Sequence, residues 1–487
     1  MGKKVLFIEP AKSYPLDKDG QPTLPNRETV SFSALMILGS LEEKGIGIDF
    51  MDLSAEGYSY KEILNKYILR VGLPDEAVVQ RISETKPSAL LISSMFSTEQ
   101  ERIVNPLVTA VRKAYSELPI IIGGQHATLK PDWLLETGNI DYVVCGEGEE
   151  TIRELLIGFK SNKPENIRGI AYRKNGIVIK TKPRPRMQDI NRTWALEKIL
   201  YKEKGGLRYK KYSKRHYLYM HKIQHKQSLK GFALYYSRGC PMACDHCTVS
   251  IIDGHKVRHM GSERMFADVK YLHETIGINV FSNQTDTFGL HQEDIKFFKK
   301  MKEYRKEHPD IILNNPNAFF AKLFFDKSKK DQVNEDLIKL YADAGFNVMT
   351  IAVESFNPKF VKKIDFEHIT PYGISRLFSM FHDYGMKTEL YMMFGFPEQT
   401  KDELIKDEKI IKNFSDLDVV SWNQCMVFPG TPHYKKGLNK GWFNEKSYRK
   451  MLREEGLFLT HIPKELNFSQ IPEYDLSEFR KRHPYPF

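Results

Sequence analysis

Short apolar runs separated by helical patterns constrain this chain more than any other feature. In the first third they fall at Lys4 to Glu9, Ile46 to Leu53, Ala89 to Ser94, Pro119 to Gly124 and Ile140 to Val144. Amphipathic helices are expected between them, over Ser33 to Lys44, Asp75 to Thr85 and Glu99 to Ser116. Strands this short and this apolar are buried on both faces, which a parallel sheet covered by crossover helices achieves. The expected fold is α/β, opening with a doubly wound, Rossmann-like parallel sheet whose ligands sit beyond the strands' carboxyl ends. Those ends carry Ser93 and Ser94, Gly123 and Gly124 followed by His126, and Gly146, Glu147 and Gly148. Glycine lets backbone approach a ligand closely, and ordinary tight turns use the same residues. A dinucleotide fingerprint is absent, because Gly146-x-Gly148 lacks the third glycine.

The rhythm returns after residue 231. Strands expected at Phe232 to Tyr236, Ile278 to Ser282, Ile311 to Asn315, Val348 to Val353, Lys387 to Phe394 and Val419 to Val427 alternate with helices, giving six βα repeats. Just behind the first of them, three of the chain's five cysteines form a C-x3-C-x2-C cluster at Cys240, Cys244 and Cys247. Disulfides suit this pattern poorly: the chain is large, the cysteine count is odd, and the start does not read as a signal peptide. Zinc would need a fourth ligand such as His246 or His255 and usually pairs two C-x2-C knuckles, of which the second is missing. A [4Fe–4S] cluster takes thiolates as its normal ligands, and three of them leave one iron open for an outside ligand. Spacing alone leaves both metals open.

The same stretch, behind its apolar strand, resembles the signature of radical S-adenosylmethionine (SAM) enzymes. That resemblance implies a partial (β/α)6 barrel with the cluster on Cys240, Cys244 and Cys247. It also implies that SAM binds the open iron, where one electron cleaves it to a 5′-deoxyadenosyl radical. His246 would then pack by the adenine, zinc ligation being its rival role. Asn283 and Asp286 would meet the methionine amino group, Glu354 and Ser355 the ribose, and Gly395 and Pro397 the adenine. Phe428 to Pro432 matches a further family turn. Cys145 and Cys425 read as small apolar residues.

In the first third, Gly123-Gly124-x-His126 and the later Asp141-x-Val-Val-x-Gly-Glu-Gly-Glu resemble the cobalamin-binding domain of cobalamin-dependent radical SAM enzymes. Ser93, Ser94, Gly123, Gly124, His126, Gly146, Glu147 and Gly148 would be its contacts. The chain departs from many cobalamin proteins in lacking Asp-x-His-x-x-Gly, whose histidine ligates cobalt from below. The corresponding loop, Ala11 to Thr29, is rich in proline and charge instead.

Four regions are expected: 1–160 cobalamin-binding, 161–231 connector, 232–432 barrel and 433–487 a C-terminal cap. The connector contains a hairpin over Ile167 to Lys180, turned by Asn175 and Gly176, then a basic, tyrosine-rich segment from Tyr201 to Lys230. The family resemblance implies a methyltransferase that abstracts a substrate hydrogen and takes its methyl group from methylcobalamin. Cyclisation, ring contraction or coupling with the same cofactors is the alternative, and a zinc-containing RNA-binding protein is the rival from another class. The partners expected are a small-molecule or peptide substrate and an external flavodoxin- or ferredoxin-type reductant, without nucleic acid. The net charge of +11 suits an anionic substrate and equally a lysine-rich surface. No run of 18 apolar residues occurs, so no transmembrane segment is expected and a cytoplasmic location fits.

Overall fold

The computed structural model describes residues 4–16, 19–22, 31–158, 163–190, 231–361, 364, 367–458 and 462–484. They form two compact units, one of residues 4–190 with 251–253 and 443–458, the other of 231–250, 254–442 and 462–484.

The first unit contains β1 (Lys4–Glu9), β2 (Lys12–Pro15), β3 (Gly47–Asp52), β4 (Lys61–Asn65), β5 (Ile68–Val71), β6 (Leu90–Ser93), β7 (Ile120–Gly123), β8 (Tyr142–Val144), β9 (Ile170–Lys174) and β10 (Ile177–Lys180). Seven of these make one sheet in the order β3-β1-β6-β7-β8-β9-β10. The first five run parallel, and β9 and β10 are antiparallel. Leu6, Ile8, Leu90, Ile120, Ile122 and Val143 are fully buried, as the continuous apolar runs require. The winding reverses between β1 and β6, which makes their carboxyl ends the ligand crevice of such a sheet. The expected connector hairpin is β9 and β10, with Asn175 (φ +51°) and Gly176 (φ +79°) in its turn, and it extends this sheet. The basic segment 201–230 lies outside the described residues.

Two features of this unit depart from the sequence reading. A second sheet, β2-β5-β4, is antiparallel and encloses Tyr14, Leu16, Leu69 and Val71. Its strands are short and partly polar, and Lys12 pairs with Val71, so no local apolar run announces it. The helix expected from Glu99 is interrupted by a π-helical turn, Gln100–Val104, before Asn105–Ala114. Pro106 at the start of that last helix supplies no N–H, and the preceding turn widens.

The second unit contains β11 (Gly231–Leu234), β12 (Ser237–Arg238), β13 (Arg258–His259), β14 (Val280–Asn283), β15 (Ile312–Asn314), β16 (Phe319–Phe320), β17 (Val348–Glu354), β18 (Lys387–Phe394) and β19 (Val419–Gln424). Two parallel sheets, β11-β14-β15 and β16-β17-β18-β19, are linked by a parallel bridge from Leu313 to Phe346. All six expected strands are present in the expected order, the arrangement of a partial (β/α)6 barrel. An aromatic cluster of Phe298, Phe319, Tyr341 and Phe346, with ring centroids 4.7–5.5 Å apart in pairs, fills the space beneath the helices.

The expected C-terminal cap, 433–487, does not form one piece. Helix Glu445–Glu454 belongs to the first unit, where Arg449 Nε lies 2.9 Å from buried Glu101 and Leu457 N–H donates to Thr98 Oγ1. Helix Glu473–Arg482 belongs to the second, with Phe479 5.0 Å from the rings of both Phe394 and Trp422. Among the described residues no helix is long and apolar enough to cross a membrane.

Candidate active site

The cysteine loop lies between β12 and helix Val249–Asp253, and its shape is fixed by backbone. Gly239 has φ +100°, and a Cβ there would stand 2.3 Å from the Lys256 carbonyl oxygen, so only glycine fits. Cys240 N–H donates to Gly254 O at 2.9 Å, Thr287 Oγ1 donates to Gly239 O, and His433 N–H donates to Asp245 O. The loop following β14 and the start of helix Pro432–Asn439 thus hold the cysteine loop at the strand ends. Burial pushes the Cys247 thiol up to about 11, so a metal must displace its proton on binding.

The donor geometry discriminates between the two metals. One zinc holds thiolates at about 2.3 Å, which gathers their sulfurs within roughly 4 Å of one another. Among the described residues, the donors that meet within 4.8 Å are those of Cys244, His246 and Glu354, not the three thiols together. Thiolates on separate irons need no such crowding, so the loop fits a cluster better than a three-thiolate zinc site.

Around the loop the strand ends carry the expected side chains. Asn283 closes β14, fully buried, with Oδ1 accepting from Thr285 N–H and Nδ2 lacking any hydrogen-bond partner among the described residues. A buried amide donor without a partner costs free energy, which a bound acceptor would recover. Asp286 accepts from Tyr235 OH at 3.1 Å. Glu354 ends β17 after a bulge and holds φ +69°, a conformation costing a non-glycine residue about 1–2 kcal/mol. Its Oε1 is 3.7 Å from His246 Nε2. Gly395 (φ +74°) and Phe396 both donate N–H to Gln399 Oε1, while Gln399 Nε2 is another buried donor without a partner among the described residues. Pro397 lies within this turn, which is stitched to 462–484 through Glu398 N–H to Phe468 O. Phe396 also stacks on Phe360 at 5.0 Å.

Ser355 is placed differently from its neighbours. Its hydroxyl is fully buried and donates to Asp407 Oδ2 at 2.6 Å, while Phe356 N–H donates to the other oxygen. Burial pushes Asp407 up to about 6. The serine therefore anchors the end of β17 to helix Lys401–Ile411. Three other residues here were not singled out as site residues by sequence. Cys425 Sγ lies 3.6 Å from His433 Nδ1, and the His433 ring is 6.4 Å from that of His246. Glu389, deep in β18, is held by Thr350 Oγ1 at 3.1 Å and Ser421 Oγ at 2.5 Å, and burial pushes it up to about 7. A lone carboxylate inside the run Lys387 to Phe394 was the signal available for it.

In the first unit, Ser94, Gly124 and His126 come together, and the third motif meets the helix that carries His126 through Gly146 N–H to Thr128 Oγ1. Gly124 has φ +113°, and a Cβ would sit 2.4 Å from the Ser94 carbonyl oxygen, which itself accepts from His126 N–H. Ser94 Oγ donates to Gln100, and Ser97 Oγ lies 2.8 Å from His126 Nδ1. His126 Nε2 is buried without a partner among the described residues, and burial, then Arg449 and Lys130, lower its pKa to about 3, so the ring is neutral. That unpaired nitrogen beside the Gly124 turn, next to half-buried Ser93 and Gly123, suits a large ligand at these strand ends. Gly146 (φ +84°) donates its N–H to Thr128, Glu147 accepts from Met187 N–H, and Gly148 begins helix Gly148–Gly158.

Comparison with known proteins gives these two sites a family. A B12-binding domain model matches residues 27–156, and a radical SAM superfamily model matches residues 234–411. In one chain, then, a B12-binding domain precedes a radical SAM domain, the make-up of the cobalamin-dependent radical SAM enzymes, with cobalamin, SAM and a [4Fe–4S] cluster as cofactors. An uncharacterized methyltransferase of Pyrococcus horikoshii is 25% identical over 68% of this chain and 65% of its own length. The cytidylyl-2-hydroxyethylphosphonate methyltransferase of Streptomyces wedmorensis is 24% identical over 88% of this chain and 80% of its own. The same fold occurs in the radical SAM methyltransferase TsrM of Kitasatospora setae, solved with cobalamin and a [4Fe–4S] cluster. It superposes with a TM-score of 0.67 at 15% identity, covering 90% of this chain and 75% of that one.

Proposed function

We propose that this protein is a cobalamin-dependent radical SAM methyltransferase acting on a small molecule at an unactivated centre. The observation that carries the reading is the pairing of both cofactor domains in one chain, across which a named methyltransferase is similar over 88% of the length. When bound, the cluster and SAM would supply a hydrogen-abstracting radical and cobalamin the methyl group. The chain's own residues hold and orient these groups. Cys240, Cys244 and Cys247 would hold the cluster. Asn283 Oδ1 is taken by Thr285 N–H, so its Nδ2 would donate to the carboxylate of SAM rather than meet the amino group expected from sequence, and Asp286 would accept from the ammonium, each satisfying a group that is costly to bury alone. Glu354 would accept from the ribose hydroxyls, with Ser355 fixing its backbone through Asp407. His246 and the turn containing Gly395 and Pro397 would flank the adenine. Ser93, Ser94, Gly123, Gly124, His126 and the segment Gly146-Glu147-Gly148 would line the cobalamin site. The Streptomyces relative is named for a cytidylyl phosphonate and TsrM binds tryptophan, so small-molecule substrates of several kinds suit this architecture. A flavodoxin- or ferredoxin-type donor in a reducing cytoplasm would complete the system.

Anaerobic reconstitution with iron, sulfide and hydroxocobalamin tests this reading. About four irons and one cobalt per chain are expected, and a product carrying the methyl of methyl-deuterated SAM. Iron without cobalt removes the cobalamin assignment, and product without added methyl removes methyl transfer.

A further inference from the structure

We propose that, before a cluster is assembled, this protein binds one zinc-like divalent cation through Cys244, His246 and Glu354. One ligand atom from each lies within 4.8 Å of the other two, and His246 Nε2 is 3.7 Å from Glu354 Oε1. Ligands at 2.0–2.3 Å from a common ion stand about 3.3–3.8 Å apart in a tetrahedron, so small side-chain rotations close the set. A thiolate, an imidazole and a carboxylate together suit a borderline ion such as zinc and not magnesium or calcium, which prefer oxygen alone.

Each ligand is held from behind. The bulge and left-handed backbone at Glu354 fix where its carboxylate leaves β17. The His246 ring is bracketed by Phe396 at 6.3 Å and His433 at 6.4 Å. The Cys244 carbonyl accepts Cys247 N–H at 3.2 Å, setting the turn that presents its sulfur. Three protein ligands leave the fourth position to water. On binding, the Cys244 thiol gives its proton to the buffer, and nothing is oxidised or reduced. Cys244 also belongs to the cluster triad, so zinc and cluster exclude each other and zinc occupancy gates cluster assembly. The gating half rests on the radical SAM reading; the binding half rests on the geometry of these three residues.

The test uses the full chain, anaerobic and cluster-free, with Co2+ as the spectroscopic probe and Zn2+ as competitor. One Co2+ per chain should bind with a thiolate-to-cobalt charge-transfer band and be displaced by one Zn2+. His246→Gln and Glu354→Gln should each weaken Zn2+ at least about tenfold and Cys244→Ser more, with Cys247→Ser changing it less than about threefold. Zinc-preloaded wild type should take up iron about tenfold more slowly than the metal-free protein, and His246→Gln at one rate with or without zinc. Absence of the thiolate band overturns the site. So does a Cys240→Ser or Cys247→Ser loss as large as that of Cys244→Ser, which would put zinc on the three thiols. Four irons with no zinc binding removes this proposal and leaves the radical SAM reading intact; zinc binding with no iron uptake removes that reading and the gating half with it, and leaves the binding half standing.

Discussion

At the carboxyl ends of β6 and β7 the first unit offers backbone and small residues, whereas at the ends of β14 and β17 the second offers carboxamide and carboxylate side chains. Gly124 packs against the Ser94 carbonyl, the Ser94 hydroxyl is engaged by Gln100, and one His126 nitrogen has no partner among the described residues. Asn283, Asp286 and Glu354 instead bring to their strand ends two acids and a carboxamide whose Nδ2 lacks a partner among the described residues. A broad ligand is met by close approach of the chain itself, which tolerates no side-chain bulk. A small zwitterion must have its charges answered by oriented groups. The units also bury charge differently. Lys12 in the first lies 3.2 Å from Glu9 and 3.8 Å from Glu99, whereas Glu389 in the second is buried against two hydroxyls and shifts toward its neutral form.

Four tests, using seven substitutions, probe this contrast. The largest effect belongs to the cysteine loop: Cys240→Ser or Cys247→Ser should lower reconstituted iron from about four per chain to near zero, with cobalt content unchanged. Loss of cobalt as well would mean that the two sites are not separable. Next, Gly124→Ala should cost about 2–4 kcal/mol and abolish cobalamin binding, because its Cβ meets backbone at 2.4 Å and its φ is left-handed. Gly123→Ala should cost less than about 1 kcal/mol, since its Cβ meets only Val144 at 3.6 Å. Thermal unfolding and cobalt retention read both, and equal losses would refute the close-packing account.

Glu389 gives a pH signature of similar size. Its folded pKa, about 7, exceeds the ordinary 4.5, so its neutral form stabilises the fold at low pH. That contribution should fall away as pH rises from about 4.5 through 7, by on the order of 3 kcal/mol. Glu389→Gln should flatten the decline in a denaturant-midpoint series, and an unchanged slope would place the titration elsewhere. The smallest pair separates contact from support. Asn283→Ala should raise the SAM dissociation constant about tenfold. Ser355→Ala should change it less than about threefold while costing about 1–3 kcal/mol through Asp407; the reverse ranking would return Ser355 to direct contact.

The architecture was legible in the sequence because its elements are local. Buried parallel strands need continuous apolar runs, crossover helices need a 3.6-residue stripe, and a cluster loop needs three thiolates within eight residues. Strand ends follow from strand positions, so Asn283, Glu354 and Gly124 could be named by number. Pairings between distant segments left no such trace. Lys12 meets Val71 in a sheet of short polar strands, the hairpin Ile170–Lys180 joins the first sheet, and the tail after 442 divides between the units. Nor does a sequence show which way a strand-end side chain turns. Glu354 and Ser355 are adjacent, yet a bulge and a left-handed φ aim the acid at His246 while the hydroxyl turns to Asp407. The chemical groups that stand at the strand ends follow from the order of residues along the chain. Which of them remain available to a ligand follows from the fold, because that depends on neighbours contributed by other strands and helices.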